Sequence, residues 1–461
     1  MKKSMILGAA ALAAMAFAPG MADAGGPVVG KWKKKGDNVS MGGYYFFRVQ
    51  DTDNTLADDA SIRDEQRWWA HRLELQMDFT VSNKTHAHMV TRVVDSGMVE
   101  GAHGHSNNNN VGGSQATDGG DWDIRQLWLE TEAWGFGVKV GDMPLSLNDK
   151  ILVNHDTTSF GTIMLSRTFG DITAVLANVR WDEGNASGLS ENDTTRGADD
   201  DDIDLYFLTL LGEMNDINLQ FTAAYMDAQE GSNLLATLAD TGVANGSDTN
   251  NHWLALTANT MISGIDLTGT VIWEGGWDNA TSAGQAEESD FLAALRAKGK
   301  TGFGGWNAYA FYAGEDFDNI VDSKQGWSAT WDNGGPGGVD LMGAHGFTDL
   351  TENTTGDNAI ANLSNSENMT GIGAGLTFNA GGWTINPMLD YASVVEEDLN
   401  DNGISDFAAD SAWGGTLKVS TKLDTNTTLY LQGTYVDPDE TADNANVDDM
   451  YLLEAAVKMA F

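Results

Sequence analysis

Charged side chains in this sequence recur at every second position within apolar stretches. In "RLELQMDFTV" (72–81), Arg72, Glu74 and Asp78 alternate with apolar residues from Leu73 onward. An extended strand places the two sets on opposite faces, whereas a helix scatters them around its axis. Because a face that carries fixed charges of both signs can enrich or exclude small ions, the pattern indicates electrostatic rather than covalent chemistry.

The segment "DLNDNGISD" (398–406) has oxygen-bearing side chains at the spacing of a calcium-binding loop. Asp398, Asn400, Asn402 and Asp406 match ligand positions 1, 3, 5 and 9 of such a loop. The glutamate expected at position 12 is absent. The alternative is therefore an acidic loop that attracts cations only diffusely.

Catalytic signatures are missing from the sequence. It contains no Gly-x-Ser-x-Gly, His-Glu-x-x-His or phosphate-binding loop. His86 and His88 share a strand face, but the sequence shows no matching set of further ligands for zinc or copper. We expect no enzyme, and no cofactor other than calcium in the acidic loop.

The composition restricts the classes of protein further. There are 67 acidic residues against 25 basic ones, giving a formal net charge of −42. Nucleic acid is an improbable partner, because binding to phosphates requires basic patches. Glycine is abundant (54) and proline scarce (6), which suits long strands joined by tight turns, and there is no cysteine.

The first residues have the form of an export signal. Lys2 and Lys3 precede an apolar run, and Ala22-Asp23-Ala24 resembles an Ala-x-Ala cleavage site. We predict a signal peptide over 1–24, cleaved after Ala24, then a short periplasmic segment over 25–39. After residue 24 no stretch is long and apolar enough for a transmembrane helix.

The period-two pattern predicts eighteen strands, with sixteen as an alternative because two segments are weakly patterned. The strands are predicted near 40–50, 66–81, 86–96, 122–133, 137–142, 160–167, 172–181, 203–211, 217–226, 252–260, 265–274, 290–299, 305–313, 370–379, 383–392, 412–421, 427–436 and 449–461.

Short and long connections alternate between these strands. The turns include 82–85 and 212–216, and long polar loops such as 97–121 and 182–202 lie between them. A transmembrane antiparallel β-barrel has this arrangement, with short periplasmic turns and long external loops. We therefore predict an all-β barrel over 40–461. The alternative is a soluble sandwich, which also alternates.

Three strands carry a clear apolar face that ends in an aromatic residue beside a long loop. The residues predicted to face lipid are Val175, Ala177, Val179 and Trp181, then Leu219, Phe221, Ala223 and Tyr225, and finally Ile265, Leu267, Gly269, Val271 and Trp273. Aromatic residues in that position are typical of the girdle at a membrane interface.

The last strand resembles the C-terminal strand of bacterial outer-membrane proteins. Its alternating residues are Tyr451, Leu453, Ala455, Val457, Met459 and Phe461. The resemblance implies that the barrel-assembly machinery reads this strand. It also implies an outer membrane with lipopolysaccharide, and hence a Gram-negative cell.

A second resemblance covers "DIRQLWLETEAWGFGVKVGDMPLSLND" (123–149). It is similar to the strand–turn–strand before the inward-folded third loop of trimeric bacterial porins, including those of sulfate-reducing bacteria. Asp142 and Met143 stand where that family prefers Arg-Gln. The resemblance implies a homotrimer and a constriction loop over 143–159, with Asp149, Lys150, His155 and Asp156 in it.

The charged faces of the strands then become candidate pore walls. A charge that faces lipid at mid-membrane costs about 2–4 kcal/mol for Lys or Arg, so alternation assigns the charged face to the lumen. The predicted pore-lining residues are Arg72, Glu74, Asp78, Arg92, Glu130, Lys139, Arg180, Asp204, Arg296, Lys298, Asp390 and Lys418.

These observations predict a water-filled channel for passive diffusion of small hydrophilic solutes and ions. Acidic loops should enrich cations at the mouth and give a weak cation preference. Two alternatives remain open from the sequence. One is a substrate-specific channel for carboxylates, phosphate or oligosaccharide. The other is a secreted β-rich structural protein stabilised by calcium.

Overall fold

The alternating segments form eighteen antiparallel strands in one closed sheet. The computed structural model describes residues 38–53, 65–99, 123–149, 151–182, 203–228, 249–275, 289–302, 304–314, 317, 369–394, 409–440 and 450–461. The predicted barrel and the eighteen strands are confirmed, whereas the sixteen-strand and sandwich alternatives are wrong. None of the described residues forms a helix long and apolar enough to cross a membrane.

The strands are long, most of them with eleven to sixteen residues. They are β1 (Val39–Asp53), β2 (Glu65–Thr80), β3 (Thr85–Val99), β4 (Asp123–Ala133), β5 (Phe136–Leu147), β6 (Val153–Phe169), β7 (Ile172–Asp182), β8 (Ile203–Met214), β9 (Ile217–Ala228), β10 (Thr249–Ile262), β11 (Ile265–Glu274), β12 (Phe291–Thr301), β13 (Gly304–Ala313), β14 (Met369–Ala380), β15 (Trp383–Val394), β16 (Ala409–Lys422), β17 (Thr427–Glu440) and β18 (Met450–Ala460).

Each strand pairs with its neighbours in sequence, and β1 pairs with β18 to close the ring. At this seam the backbone N–H of Gly43 donates to the carbonyl of Phe461 at 3.0 Å, and the reverse bond has the same length. Closure leaves no long exposed edge at the seam, as a barrel in lipid requires.

Several short turns have the backbone geometry that suits antiparallel strands. Trp134 and Gly135 have φ of 52° and 79°, and Asn215 and Asp216 have φ of 52° and 63°. Two successive residues at positive φ form the turn whose twist matches that of the flanking strands. Both of these turns lie at the end of the barrel that also carries Phe461.

The two faces of the sheet differ in exposure. Phe221, Tyr225, Val271 and Trp273 lie on the exterior with large apolar residues of the neighbouring strands, as predicted. The opposite face of the sheet lines the interior of the barrel, and we call this inner face the lumen wall. An apolar exterior around a closed sheet is what lipid surroundings require.

Strand β7 has the reverse orientation to the one predicted. Val175, Ala177 and Val179 are at most 3% exposed on the lumen wall, and Leu176 is exposed on the exterior. The prediction was wrong because both faces of β7 are apolar. The inner face packs against a segment of chain inside the barrel, which local alternation does not reveal.

The predicted signal peptide 1–24 and most of the segment 25–39 lie outside the described residues. Both stay predictions.

Candidate functional site

The segment 143–159 is a hairpin that extends β5 and β6 into the barrel. The two strands stay paired as far as Leu147 and Val153, and the described residues Asn148, Asp149, Ile151 and Leu152 lie at the tip. Gly141 precedes the inward path with φ of 118°, and a Cβ there would collide with the backbone of Leu127. The predicted loop therefore has regular structure, and a glycine is required where it leaves the wall.

The hairpin is held inside by an apolar surface. Leu145, Leu147, Leu152 and Val153 are at most 1% exposed. The wall residues in the same buried cluster include Val175, Leu205, Phe207, Trp253, Ile272 and Leu292. Each buried Leu or Val side chain contributes about 1.5–3 kcal/mol relative to an exposed one, so the hairpin is firmly fixed to the wall.

Polar contacts hold the tip of the hairpin on the far wall. The Asn148 side-chain amide donates to Thr257 Oγ1 of β10 at 3.2 Å. Arg296 of β12 donates from Nη2 to Asp149 Oδ1. Lys298 is the next residue of β12 on the lumen side, and its charge also acts on Asp149. The structure thus brings together three predicted residues, a loop carboxylate and two basic wall residues.

Another charged group lies on the lumen wall of β1 to β3. Tyr44 donates its hydroxyl to Glu74 Oε2 at 3.2 Å. Ser40 donates to Asp78 Oδ2 at 3.2 Å, and His88 Nδ1 lies 2.8 Å from Asp78 Oδ1. Glu74 and Asp78 therefore face the lumen and have polar partners.

The adjacent strands continue this polar wall. Lys139 Nζ lies 3.5 Å from Glu130 Oε2 and 4.3 Å from the centroid of the Trp128 ring. The imidazole of His88 stacks on the same ring at 5.1 Å. Lys139 and Glu130, both predicted as pore residues, thus form an ion pair on the lumen side.

A glycine stripe on β14 makes room for side chains from the two flanking strands. Gly371, Gly373 and Gly375 face the lumen, and a Cβ on Gly373 would collide with the Tyr309 ring and Asp390. Tyr309 donates its hydroxyl to Asp390 Oδ1 across this glycine at 3.2 Å. The predicted residue Asp390 is therefore on the lumen wall, and it is 1% exposed.

Lys418 also lies on the lumen wall. Its register partners are Asn386 on β15 and Gln432 on β17, and Gln432 is buried on the same side.

Arg180 and Asp204 do not line the pore, and their predicted placement was wrong. Arg180 follows the buried Val179 and shares the exterior face of β7 with Leu176, and Asp204 precedes the buried Leu205. Arg180 Nε donates to Asp204 Oδ1 at 3.2 Å. Because β7 has the opposite orientation to the predicted one, its charge lies outside.

Some predicted residues can be placed only partly. Arg72 pairs in register with Phe46, and Arg92 pairs with Glu74. Phe46 and Glu74 both face the lumen, but the side chains of the two arginines lie outside the described part. His155 and Asp156 belong to β6, and their side chains are likewise outside it. Lys150 and the calcium candidates Asp398, Asn400, Asn402 and Asp406 lie outside the described residues. Within the described part no cluster of three or more metal-ligating side chains occurs.

The alternating residues of β18 face the exterior. Leu453 is 55% exposed and Met459 is 43% exposed, and Tyr451, Val457 and the terminal Phe461 follow the same alternation. These side chains therefore lie on the outside of the barrel.

Sequence reasoning missed several residues of the site. Asn148, Thr257, Trp128 and Tyr309 are neutral, whereas the residues predicted to line the pore are all charged. A usable signal was present, because Asn148 directly precedes Asp149 at the tip of an apolar segment, where a turn residue is expected.

Comparison of the sequence with family models and with curated proteins finds no match. Solved structures do match the fold. OpdL of Pseudomonas aeruginosa has a TM-score of 0.53 and 10% identity, with 92% of this chain and 99% of that chain covered. OccK5 (OpdH) of the same organism has a TM-score of 0.52 and 11% identity, with 91% and 98% covered.

OpdK of Pseudomonas aeruginosa, whose crystal structure was determined with vanillate, has a TM-score of 0.52 and 9% identity, with 92% of this chain and 98% of that chain covered. At these identities the likeness concerns the fold. The chain therefore has the closed eighteen-stranded fold of bacterial outer-membrane porins.

Proposed function

We propose that the protein is an outer-membrane channel for passive diffusion of small hydrophilic solutes and ions, with a weak preference for cations. The observation that carries this proposal is the hairpin inside the barrel, whose tip brings Asp149 against Arg296. A closed barrel with an apolar exterior supports a pore through lipid, and the internal hairpin narrows it.

The cation preference follows from how the lumen charges are paired. Lys139 lies beside Glu130, and Arg296 lies beside Asp149. A paired basic group contributes little net field to a passing ion, because its partner cancels it at a distance. The chain as a whole carries −42, so the excess negative charge lies largely with carboxylates outside these pairs. Such an excess enriches cations at the channel mouth.

A substrate-specific channel is the second candidate. Arg72 pairs in register with Phe46 and Arg92 with Glu74, two residues of the lumen wall, which supports a basic wall there. Strand β18 adds Lys458, whose Nζ lies 4.4 Å from the Tyr44 ring centroid. Basic positions on this wall would suit a carboxylate. The solved structure of OpdK contains vanillate, an observation on that protein.

The cellular setting belongs to the same proposal. We infer export through the predicted signal peptide, with cleavage after Ala24, and insertion into a Gram-negative outer membrane with lipopolysaccharide. The barrel-assembly machinery would read β18, and calcium could bind at 398–406. The homotrimer implied by the porin resemblance is likewise part of this proposal.

Single-channel recording of the purified, folded protein in a planar bilayer tests the proposal. Stepwise currents are expected, and a salt gradient should give a reversal potential with the sign for cations. Addition of vanillate or a similar small carboxylate tests the second candidate, because a specific channel would show concentration-dependent block. If folded protein gives no steps, the diffusion channel is wrong.

A further inference from the structure

One arginine lies on the exterior of the barrel close to the short turns. Arg167 is exposed on β6, two positions before Phe169 ends that strand, and Leu165 precedes it on the same exterior face. At about 3.3 Å per residue and a tilt near 40°, Arg167 lies about 5 Å above the end of the strand. This height is at the lower edge of an apolar band about 25 Å tall, where lipid headgroups begin.

Two aromatic rings position the guanidinium of Arg167. Its Cζ lies 4.9 Å from the ring centroid of Phe136, the first residue of β5, and 5.2 Å from that of Phe169. Both distances are within the range of a cation–π contact, which uses none of the N–H donors of the guanidinium. The register partner on β7 is Ala174, whose single methyl group leaves room beside these donors. The guanidinium is therefore oriented and still able to donate hydrogen bonds.

No carboxylate neutralises this charge within the described part of the chain. Arg180, also on the exterior, pairs with Asp204 at 3.2 Å, whereas Arg167 has no described carboxylate oxygen within 4.0 Å, including that of Asp171 in the next turn. Among the described strand side chains, Arg167 is also the only charge on the exterior of the short-turn half. A cation beside a medium of low dielectric constant attracts an anion strongly. At this height the available anion is a lipid phosphate.

We propose that Arg167, Phe136 and Phe169 form a site for the phosphate of an anionic phospholipid in the leaflet on the short-turn side. A guanidinium can donate two parallel N–H bonds to one phosphate, and the two rings present apolar surface to the lipid chains. Lipopolysaccharide is disfavoured as the occupant, because it belongs to the leaflet on the side of the long loops. The proposal rests on the membrane location of the proposed function and adds a lipid-binding site to it.

The absence of cysteine allows a direct test, because the full chain can carry a fluorescent label at one introduced cysteine. Leu165→Cys places the label beside the site, and Leu376→Cys places it on β14 as a matched reference. Both native side chains are exterior, are 40% and 43% exposed, and lie four positions before the end of their strands. The labelled barrels are reconstituted in phosphatidylcholine vesicles with a small fraction of phosphatidylglycerol brominated on its acyl chains. Bromine quenches the label on contact, so the loss of fluorescence measures how often the anionic lipid occupies each position.

The label at 165 should be quenched several-fold more than the label at 376, and brominated phosphatidylcholine should quench the two equally. Arg167→Gln should lower the quenching at 165 to that at 376. The control Arg180→Gln, which removes an exterior arginine already paired with Asp204, should leave the excess at 165 in place. Replacement of chloride by inorganic phosphate at equal ionic strength should also leave it in place.

Equal quenching by brominated phosphatidylglycerol at the two positions would overturn the proposal, as would an excess at 165 that persists in Arg167→Gln. Loss of the excess in inorganic phosphate would make free phosphate the occupant and overturn the assignment to lipid. Planar-bilayer recording of the same preparation separates this result from the proposed function. Current with equal quenching would refute only the lipid site, whereas an excess at 165 without current would refute the channel and leave the site standing. No quenching at either position would place the barrel outside lipid and refute both.

Discussion

The ion pair at the hairpin tip gives a prediction with a matched control. Arg296→Gln removes the guanidinium beside Asp149 on the lumen side, and Arg180→Gln removes the one beside Asp204 on the exterior. Both substitutions take an arginine from an ion pair with an aspartate. Only the first uncovers a negative charge next to the ion path. We therefore expect Arg296→Gln to increase cation selectivity and Arg180→Gln to leave it unchanged.

The size of the effect follows from Coulomb's law. In water a unit charge acts on a monovalent ion about 7 Å away with about 0.6 kcal/mol. Salt at about 0.1 M, with a screening length near 10 Å, reduces this to about 0.3 kcal/mol. At that energy cations are enriched about 1.7-fold near Asp149 and anions are depleted equally, so the permeability ratio changes roughly three-fold.

The assay is the reversal potential of each variant in a planar bilayer under a salt gradient. Asp149→Asn should shift it in the opposite direction, because it uncovers Arg296. The shift should shrink as the ionic strength rises. Equal shifts for Arg296→Gln and Arg180→Gln, or no shift for Arg296→Gln, would show that the hairpin tip does not set the field along the ion path.

Three further predictions concern stability. Leu152→Ala should lower the free energy of unfolding by about 2–5 kcal/mol, since it leaves a cavity between the hairpin and the wall. The control Leu389→Ala, on the exterior, should lower it less because fluid lipid fills the space. Urea unfolding in vesicles measures both losses, and equal losses would contradict a packed hairpin. In the same assay Gly373→Ala should lower the free energy of unfolding by about 1–3 kcal/mol, because the added methyl group displaces Tyr309 from Asp390. Gly415→Ala is the control. It lies on the exterior with its nearest contact at 3.5 Å, so its free energy of unfolding should hardly change. In the turn 423–426, the N–H of Asn426 and then the Thr427 hydroxyl hold the pKa of Asp424 below its usual value. That stabilisation is present above the unfolded-state pKa, about 3.9, and is lost as the pH falls through the lower folded-state pKa, so Asp424→Ala should lower the melting temperature at neutral pH and converge with the wild type in acid. A difference that is independent of pH would exclude the charge as its cause.

Local alternation was sufficient to predict the strands. Each strand of a barrel has one face toward the lumen and one toward lipid, so period two appears in the sequence without knowledge of the partners. The rule also identified the exterior residues Phe221 and Trp273 and the lumen residues Glu74 and Lys139, because in those strands only one face is apolar.

The rule failed where the interior of the barrel is apolar. Val175 and Val179 face the hairpin residues inside the lumen, a contact between distant segments that leaves no local signal in β7. Arg180 was misplaced for the same reason. The hairpin itself was predicted as a loop, although its two apolar runs around a polar tip have the pattern of paired strands. Contacts between Asn148 and Thr257, 109 positions apart, lie beyond any local rule.

The seam between β1 and β18 bears on the order of folding. Every other ladder joins neighbours in sequence, whereas the seam joins Gly43 to Phe461. The entropic free-energy cost of closing a loop of that length exceeds the cost of closing a four-residue turn by roughly 4 kcal/mol. Formation of the seam should therefore come last, after the other strands have paired as an open ribbon. During that interval both edges of the ribbon can pair with other chains, which makes a chaperone most valuable just before closure.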